Sequence, residues 1–272
     1  MRIVRLGSLF ALGLLLSATC ANAQQAAPPA PAPRDAQAVS VLQRSLAAMA
    51  GTAAAPVNDV TLNGSANWIA GSDNETGSAT LKATAIGQGR LNLSLLSGQR
   101  SEIEDISQAP PTGSWCGPDS VWHSMAGHNL FSDPTWFFPA FLIGRALSTS
   151  NYAISAMDAE TQDGIAVEHV QIYQQLSFSG SAASLLQSLS QIDIYLNSST
   201  LMPVSIAFNT HADNNASLNI PIQIKFSSYQ AVQGISVPYH IQKYIQNGLA
   251  LDLTVSSVQV NSGLSASDFQ VQ

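Results

Sequence analysis

Groups able to do acid–base or metal chemistry are few in this chain and are spread along it. None of its five histidines lies at the His-x-His or His-x₃-His spacing typical of zinc sites. The histidines are His123, His128, His169, His211 and His240. Carboxylates cluster at Glu102, Glu104 and Asp105, which is typical of a solvated edge strand whose charge prevents pairing with another sheet. His240 lies on the polar face of a predicted strand, which favours a solvated histidine.

Short motifs of common catalytic sites are missing from the sequence. It contains no Gly-x-Ser-x-Gly, no Gly-rich phosphate loop and no His-Glu-x-x-His. Cys116 follows Trp115 with no basic partner identifiable, which favours a partly buried, inert thiol over a reactive one. We therefore expect no catalytic residue, no metal, no cofactor and no enzymatic activity.

The most distinctive segment is rich in aromatic residues. It follows Pro134, which is predicted to start a short helix that Pro139 disturbs. Its large aromatic side chains are Trp136, Phe137, Phe138 and Phe141. A helix that is apolar on nearly every side is either buried in the hydrophobic core or in contact with an apolar ligand, and the sequence leaves both alternatives open.

The elements that must position these groups are mainly strands. From Val60 onward, apolar and polar residues alternate with a period of two, and turn signals recur about every ten residues. Helical spacing of apolar residues predicts a helix from Asp35 to Ala50, with Gly51 as its stop, and another over Gly180–Ser190. The predicted fold is mainly β (α+β), with about ten or eleven antiparallel strands in a curved sheet and two or three short helices.

The clearest alternation runs from Leu218 to Val260. It predicts a three-stranded antiparallel meander with one apolar face and a tight turn at Asn247-Gly248. Changes of phase near Glu168-His169 and near Ser256-Ser257 predict β-bulges, which bend a sheet.

The N-terminal part of the chain differs from the rest in composition. Residues 1–23 combine two arginines, a short apolar run and a small-x-small site, which predicts a signal peptide cleaved before Gln24. Lipid attachment at Cys20 is not expected, because the residues around it fit such a site poorly. Residues 24–34 are rich in Ala and Pro and predict a disordered linker ahead of a single domain over 35–272.

Charge and cysteine content narrow the function classes. Removal of residues 1–23 changes the formal net charge from −7 to −9, because this segment holds two arginines and no acidic residue. Nucleic-acid binding is therefore not expected. The remaining chain keeps one cysteine, Cys116, so its stability must rest on a large core rather than an internal disulfide. No later stretch is long and apolar enough to span a membrane.

Several turn and packing motifs match those of a known family. A strand, a turn and Leu-Met-Pro occupy Asp193–Pro203, and a tyrosine followed by Gly-Ile-Ser-Val-Pro lies within Phe226–Ile241. Further matches are the ending Val258–Phe269, Met49-Ala-Gly51 and Leu62–Ala66. In these features the chain resembles the LolA/LolB-like periplasmic lipoprotein-carrier superfamily, which includes lipid-binding and regulatory relatives.

The resemblance covers most of the chain after the predicted linker. It implies an incomplete antiparallel β-barrel wrapped around helices, with an apolar cavity for acyl chains. The lipoprotein carrier's Lys-Arg-Pro motif is missing from the comparable segment Ile86–Leu91, so its arginine's role is not transferred to Arg90.

Pattern and resemblance together predict a periplasmic binding protein for lipid or for the acyl chains of lipoproteins. The alternative is an envelope protein-interaction module or regulatory sensor on the same fold, with protein partners and no transported ligand. The residues expected to line the cavity are Trp136, Phe137, Phe138, Phe141, Leu142, Phe226, Tyr239 and Leu251.

Overall fold

A computed structural model describes residues 31–175 and 180–271 of the chain. The predicted signal peptide and most of the predicted linker lie outside the described residues. The last linker residues contact the domain: the Ile154 amide donates to the Pro33 carbonyl at 2.9 Å, and Arg34 bridges to the same strand. None of the helices in the two described ranges is long and apolar enough to cross a membrane.

The main element is an antiparallel sheet of fourteen strands. In chain order they are β1 (Asp59–Ala70), β2 (Asp73–Thr84), β3 (Gln88–Leu95), β4 (Gly98–Asp105), β5 (Thr112–Cys116), β6 (Trp122–Ser124), β7 (Tyr152–Ala156), β8 (Glu160–Gln162), β9 (Ile165–Gln174), β10 (Ile192–Asn197), β11 (Pro203–Ala212), β12 (Asn215–Val232), β13 (Ile235–Ile245) and β14 (Gly248–Val260). Their spatial order is β6-β5-β4-β3-β2-β1-β14-β13-β12-β11-β10-β9-β7, and β8 pairs with β9. The path does not close on itself, which confirms the predicted incomplete barrel.

The sheet has more strands than the ten or eleven predicted. The additional strands are β5, β6 and β8, each five residues or fewer. A period of two cannot be recognised over so few residues, and the Gly-, Pro- and Trp-rich sequence around β5 and β6 is typical of loops. Pairing makes these segments strands: β5 pairs with β4, β6 pairs with β5, and β8 pairs with β9.

Three α-helices accompany the sheet: α1 (Ala36–Ala50), α2 (Pro139–Ser148) and α3 (Ser181–Ser190). Short 3₁₀ helices cover Gly127–Phe131 and Ala266–Phe269. The predicted bounds of α1 are confirmed, because the Asp35 carboxylate accepts from the Ala38 amide at 2.8 Å and Gly51 ends the helix with φ 51°.

The predicted start of the aromatic helix at Pro134 is wrong, because α2 begins at Pro139. Asp133 instead accepts from the amide and hydroxyl of Thr135, at 2.8 and 2.6 Å, in a local side-chain turn. Pro139 does not disturb a helix; it is the first residue of one, where its fixed φ is favourable.

The meander is confirmed as β12, β13 and β14, with one change at its turn. The two residues with positive φ are Gln246 (49°) and Asn247 (66°), while Gly248 already pairs with Ile245. The bulge near Ser256-Ser257 is confirmed, because Asn63 pairs with Ser257 and the next residue of β1, Gly64, pairs with Val255.

The bulge predicted near Glu168-His169 is wrong for β9, which pairs with β10 without any shift of register. The extra residue lies instead in the segment between β7 and β8, which faces β9. Ala156 of β7 pairs with Val170 and Glu160 of β8 pairs with Val167, so 157–159 face the shorter stretch 168–169.

The concave face of the sheet, α1 and α2 bury one contiguous apolar core. Phe137, Leu142, Ile194 and Ile206 are among its most completely buried side chains. The core fills the middle of the half-barrel and leaves an opening on each side of it.

Candidate ligand-binding site

A cleft of about 560 Å³ opens between the two helices that lie against the concave face. We call it the α1–α2 cleft. Its walls are the end of α1, the segment 53–57, α2 and the start of β13, and its larger apolar lining residues are Leu46, Met49, Val57, Phe138, Phe141 and Ile235. Cavities that bind small apolar ligands have about this size and character.

The floor of the α1–α2 cleft is set by α2. Phe138 and Phe141 meet edge to face with ring centroids 4.7 Å apart, which holds both rings in place. Gly144, one helical turn later, leaves an open stretch, because a Cβ atom added there would meet no other atom within 4 Å.

Arg145 is the charged residue among the lining of the α1–α2 cleft, and its charge is compensated. Its guanidinium pairs with the buried Asp133 carboxylate, donates to the Thr135 hydroxyl at 2.8 Å and donates to the Ala85 carbonyl at 3.2 Å. The ion pair fixes the segment before α2 against the end of β2, and the cleft therefore presents mainly apolar surface.

A second opening lies near the other end of β13, about 26 Å along the strand from Ile235. We call it the Lys243 cleft. It has two lobes of about 210 and 290 Å³, and both are lined by Glu102, Trp115, Lys243 and Ile245. The smaller lobe adds Glu104 and Trp136, and the larger adds an apolar floor of Leu91, Leu93 and Leu251.

Glu104 is the most unusual group in the Lys243 cleft. Its residue is 8% exposed, and Oε2 is buried with no hydrogen-bond partner among the described residues. Burial raises the pKa of Glu104 to about 8; the Glu102 and Asp133 carboxylates add to the rise and Lys243 opposes it.

The expectation that Glu102, Glu104 and Asp105 lie on a solvated edge strand is wrong. They belong to β4, which lies between β3 and β5. The prediction failed because Glu102 and Glu104 alternate with the apolar Ile103, a pattern typical of a strand whose charged face is in contact with solvent. Here the face with the glutamates is the concave face, and Ile103 lies on the opposite face. That face is also covered, since the C-terminal 3₁₀ helix contacts β3 and β4 and leaves Ile103 4% exposed.

The eight predicted cavity residues do not surround one space. Phe138 and Phe141 line the α1–α2 cleft, while Trp136 and Leu251 line the Lys243 cleft. Phe137, Leu142 and Phe226 are buried in the core between them, and Tyr239 is half-buried against it.

A further polar cluster lies on the convex face of the sheet. The Ser227 hydroxyl is 3.1 Å from His240 Nδ1, and His240 Nε2 is 2.8 Å from the Asp252 carboxylate, which also accepts from Gln242. His169, Asp193 and Gln171 repeat the His–Asp–Gln part of this arrangement on neighbouring strands β9 and β10.

Its repetition at two places, each across directly paired strands, identifies this cluster as a polar ladder on a sheet surface. His240 therefore has specific partners rather than only water. Burial raises the pKa of Asp193, but the hydrogen bonds from His169, Gln171 and Gln191 outweigh it, and the net pKa lies below its usual value.

Cys116 is buried and forms no disulfide within the described residues, and its thiol lies 3.4 Å from the Gly117 carbonyl. Across residues 31–175 and 180–271, no group of three or more His, Cys, Asp or Glu side chains is arranged to hold a metal ion.

Comparison with solved structures identifies the architecture. A domain named for outer-membrane lipoprotein sorting, from Vibrio parahaemolyticus, covers 86% of this chain and 96% of its own, with 12% identity and a TM-score of 0.53. A DUF1329 family protein from Desulfovibrio piger covers 86% and 97%, with 11% identity and a TM-score of 0.50. The chain has a LolA-like fold.

At these identities the matches establish the LolA-like fold alone. Protein-family models and curated protein sequences give no match. The two clefts of this LolA-like half-barrel must therefore be interpreted from their own side chains.

Proposed function

We propose that the protein is an exported, periplasmic binding protein that holds the apolar chain of a lipid or lipidated cargo in the α1–α2 cleft. The observation that supports this most directly is a cleft of about 560 Å³ with a largely apolar lining and a compensated arginine. Each methylene group transferred there from water would contribute about 0.8 kcal/mol, so affinity should increase with the number of chain carbons that the cleft buries.

The position of the cleft also supports an acyl ligand. It lies between two helices and the start of β13, with Phe138 and Phe141 as rigid walls and an open stretch at Gly144. Recognition in such a site depends on shape and apolar contact, with few polar anchors to select a headgroup. We expect it to accept chains of related length rather than one chemical species.

The test is native mass spectrometry and lipid extraction of the purified protein, combined with two substitutions at one position. Gly144→Trp places a large ring in the open stretch of the cleft, whereas Gly144→Ala adds one methyl group. We expect co-purifying or added fatty acid to bind the parent protein and Gly144→Ala, and to be lost from Gly144→Trp.

Two results would contradict the proposal. One is a parent protein that neither carries lipid nor binds added fatty acid. The other is a folded Gly144→Trp variant that binds as the parent does. A ligand-free parent would instead favour the protein-interaction alternative. Release of a signal peptide is tested separately, by an intact mass corresponding to a chain that begins at Gln24.

A further inference from the structure

The Lys243 cleft contains acidic groups that the proposed function does not use. Glu102 and Glu104 both lie on the concave side of β4, two residues apart on one strand. Lys243, on β13, is the basic residue of the smaller lobe. Its ammonium lies 4.9 Å from the centroid of the Trp136 ring, a cation–π contact.

The enclosure of Glu104 is built into the sheet. Its two cross-strand partners are glycines, Gly89 on β3 and Gly113 on β5. A Cβ atom at Gly89 would lie 2.1 Å from the Pro134 carbonyl oxygen, and one at Gly113 would lie 2.4 Å from Leu130. The two glycines therefore let the 125–136 segment close over the carboxyl group.

The charges of the cleft are not balanced by its own residues. Asp213 also lines the smaller lobe, so Lys243 can neutralise one of three carboxyl groups once Glu104 is ionised. Arg100, in the larger lobe, is engaged elsewhere: it lies 3.8 Å from the Trp68 ring centroid and 3.9 Å from Glu75. A carboxyl group buried without a partner is costly unless something else occupies the site.

We propose that the Lys243 cleft binds the ammonium group of a cationic amphiphile, with Glu102 and, after release of its proton, Glu104 as the anionic anchors. Trp115 and Trp136 supply aromatic walls, which favour quaternary and primary ammonium groups. The apolar floor of the larger lobe, Leu91, Leu93 and Leu251, receives the adjoining hydrocarbon. This site is separate from the α1–α2 cleft and does not depend on a ligand being present there.

The direct test is calorimetric titration with dodecyltrimethylammonium and, as a neutral counterpart with the same tail, dodecyl maltoside, both below their micelle concentrations. The parent protein should bind the ammonium amphiphile more tightly. Measured at about pH 9, where the Glu104 carboxyl is ionised, Glu104→Gln should weaken ammonium binding about tenfold or more, because one of the anionic partners of the cation is lost, and should leave maltoside binding unchanged.

Two further variants make this result specific. Asp158→Asn removes one negative charge from an exposed loop and should leave both affinities unchanged. Gly144→Trp, which blocks the α1–α2 cleft, should leave the ammonium preference intact. Loss of the preference in Gly144→Trp would place ammonium binding in the other cleft and overturn this proposal.

A pH series on the parent protein gives a second test that does not depend on any variant folding. The charge of a quaternary ammonium is constant, so its affinity reports the ionisation of the site. Because the pKa of Glu104 is raised to about 8, affinity should increase as the pH rises toward and past that value. The charged groups that act on Glu104 are Glu102, Asp133 and Lys243, and Asp213 lines the same lobe.

Equal binding of the two amphiphiles by the parent protein would overturn the proposal. So would an ammonium affinity that does not change with pH, or a folded Glu104→Gln variant that keeps the full preference.

Discussion

The α1–α2 cleft and the Lys243 cleft are both lined largely by apolar side chains, and they differ in how their charged groups are partnered. In the first, Arg145 and Asp133 neutralise each other and are held by Thr135. In the second, Glu104 is buried without a hydrogen-bond partner at Oε2 among the described residues. Both clefts border the same core.

This difference separates charged residues that stabilise the fold, such as Arg145 and Asp133, from an ionisable residue that could bind a ligand, such as Glu104. A buried ion pair with additional hydrogen bonds organises the chain around it and leaves the adjoining surface apolar. A buried carboxyl without such partners reduces stability, and such groups are concentrated at functional sites. One half-barrel therefore has an apolar cleft at one end and an acidic, aromatic cleft at the other.

The largest effect is expected from loss of the Arg145–Asp133 ion pair, the compensated charges of the α1–α2 cleft. Arg145→Ala leaves the Asp133 carboxylate, 2% exposed, buried without its cation. We expect a loss of about 3–5 kcal/mol in the free energy of unfolding, measured by urea denaturation. Lys225→Ala, which breaks the exposed pair with Asp163, is the control and should cost less than about 1 kcal/mol. Equal losses of unfolding free energy in the two variants would show that the buried ion pair stabilises the protein no more than the exposed one does.

The second prediction tests the uncompensated side. The folded protein keeps the Glu104 proton up to about pH 8, whereas the unfolded chain releases it near the ordinary value of 4.5. The folded state therefore binds more protons between these values, and stability falls as the pH rises through the window, by up to about 1.4 kcal/mol per pH unit.

Glu104→Gln cannot ionise and should lose this contribution to the pH dependence. Its free energy of unfolding, relative to the parent, should increase from pH 5 to pH 8 and then level off. Urea denaturation at a series of pH values measures the difference. A constant difference across the window would mean that Glu104 ionises normally in the folded protein.

The smallest effect concerns the open floor of the α1–α2 cleft. Gly144 lies inside α2, and an added Cβ meets nothing within 4 Å. Gly144→Ala should therefore stabilise the protein by about 0.5–1 kcal/mol, because alanine loses less conformational freedom in a helix. A lower melting temperature for Gly144→Ala would show that this part of the α1–α2 cleft is filled rather than open.

Local patterns in the sequence were sufficient for much of the fold. The Asp35 cap and the Gly51 stop predicted the bounds of α1. Alternation of apolar and polar residues between Leu218 and Val260 predicted the meander, and the change of phase at Ser256 predicted its bulge. These features depend on residues close together in the chain, so period and capping chemistry determine them.

Much less of the two candidate sites could be predicted from the sequence. The aromatic segment 136–141 was recognised as unusual, but its side chains divide between two clefts and the core. Side chains a few residues apart on a turn entering a helix point in different directions, and only the position of Pro139 as the first helical residue decides which way each one faces.

Element types, the apolar face of each long strand and the available side-chain chemistry can be predicted from the sequence alone. Which charges are compensated depends on contacts between segments that are distant in the chain. Asp133 and Arg145 come together because α2 turns back on the segment before it. Glu104 meets Lys243 and Trp136 because the sheet curves until β4 faces β13. Register and curvature are summed over many strand pairs, so no local pattern encodes which carboxyl group will be left without a partner.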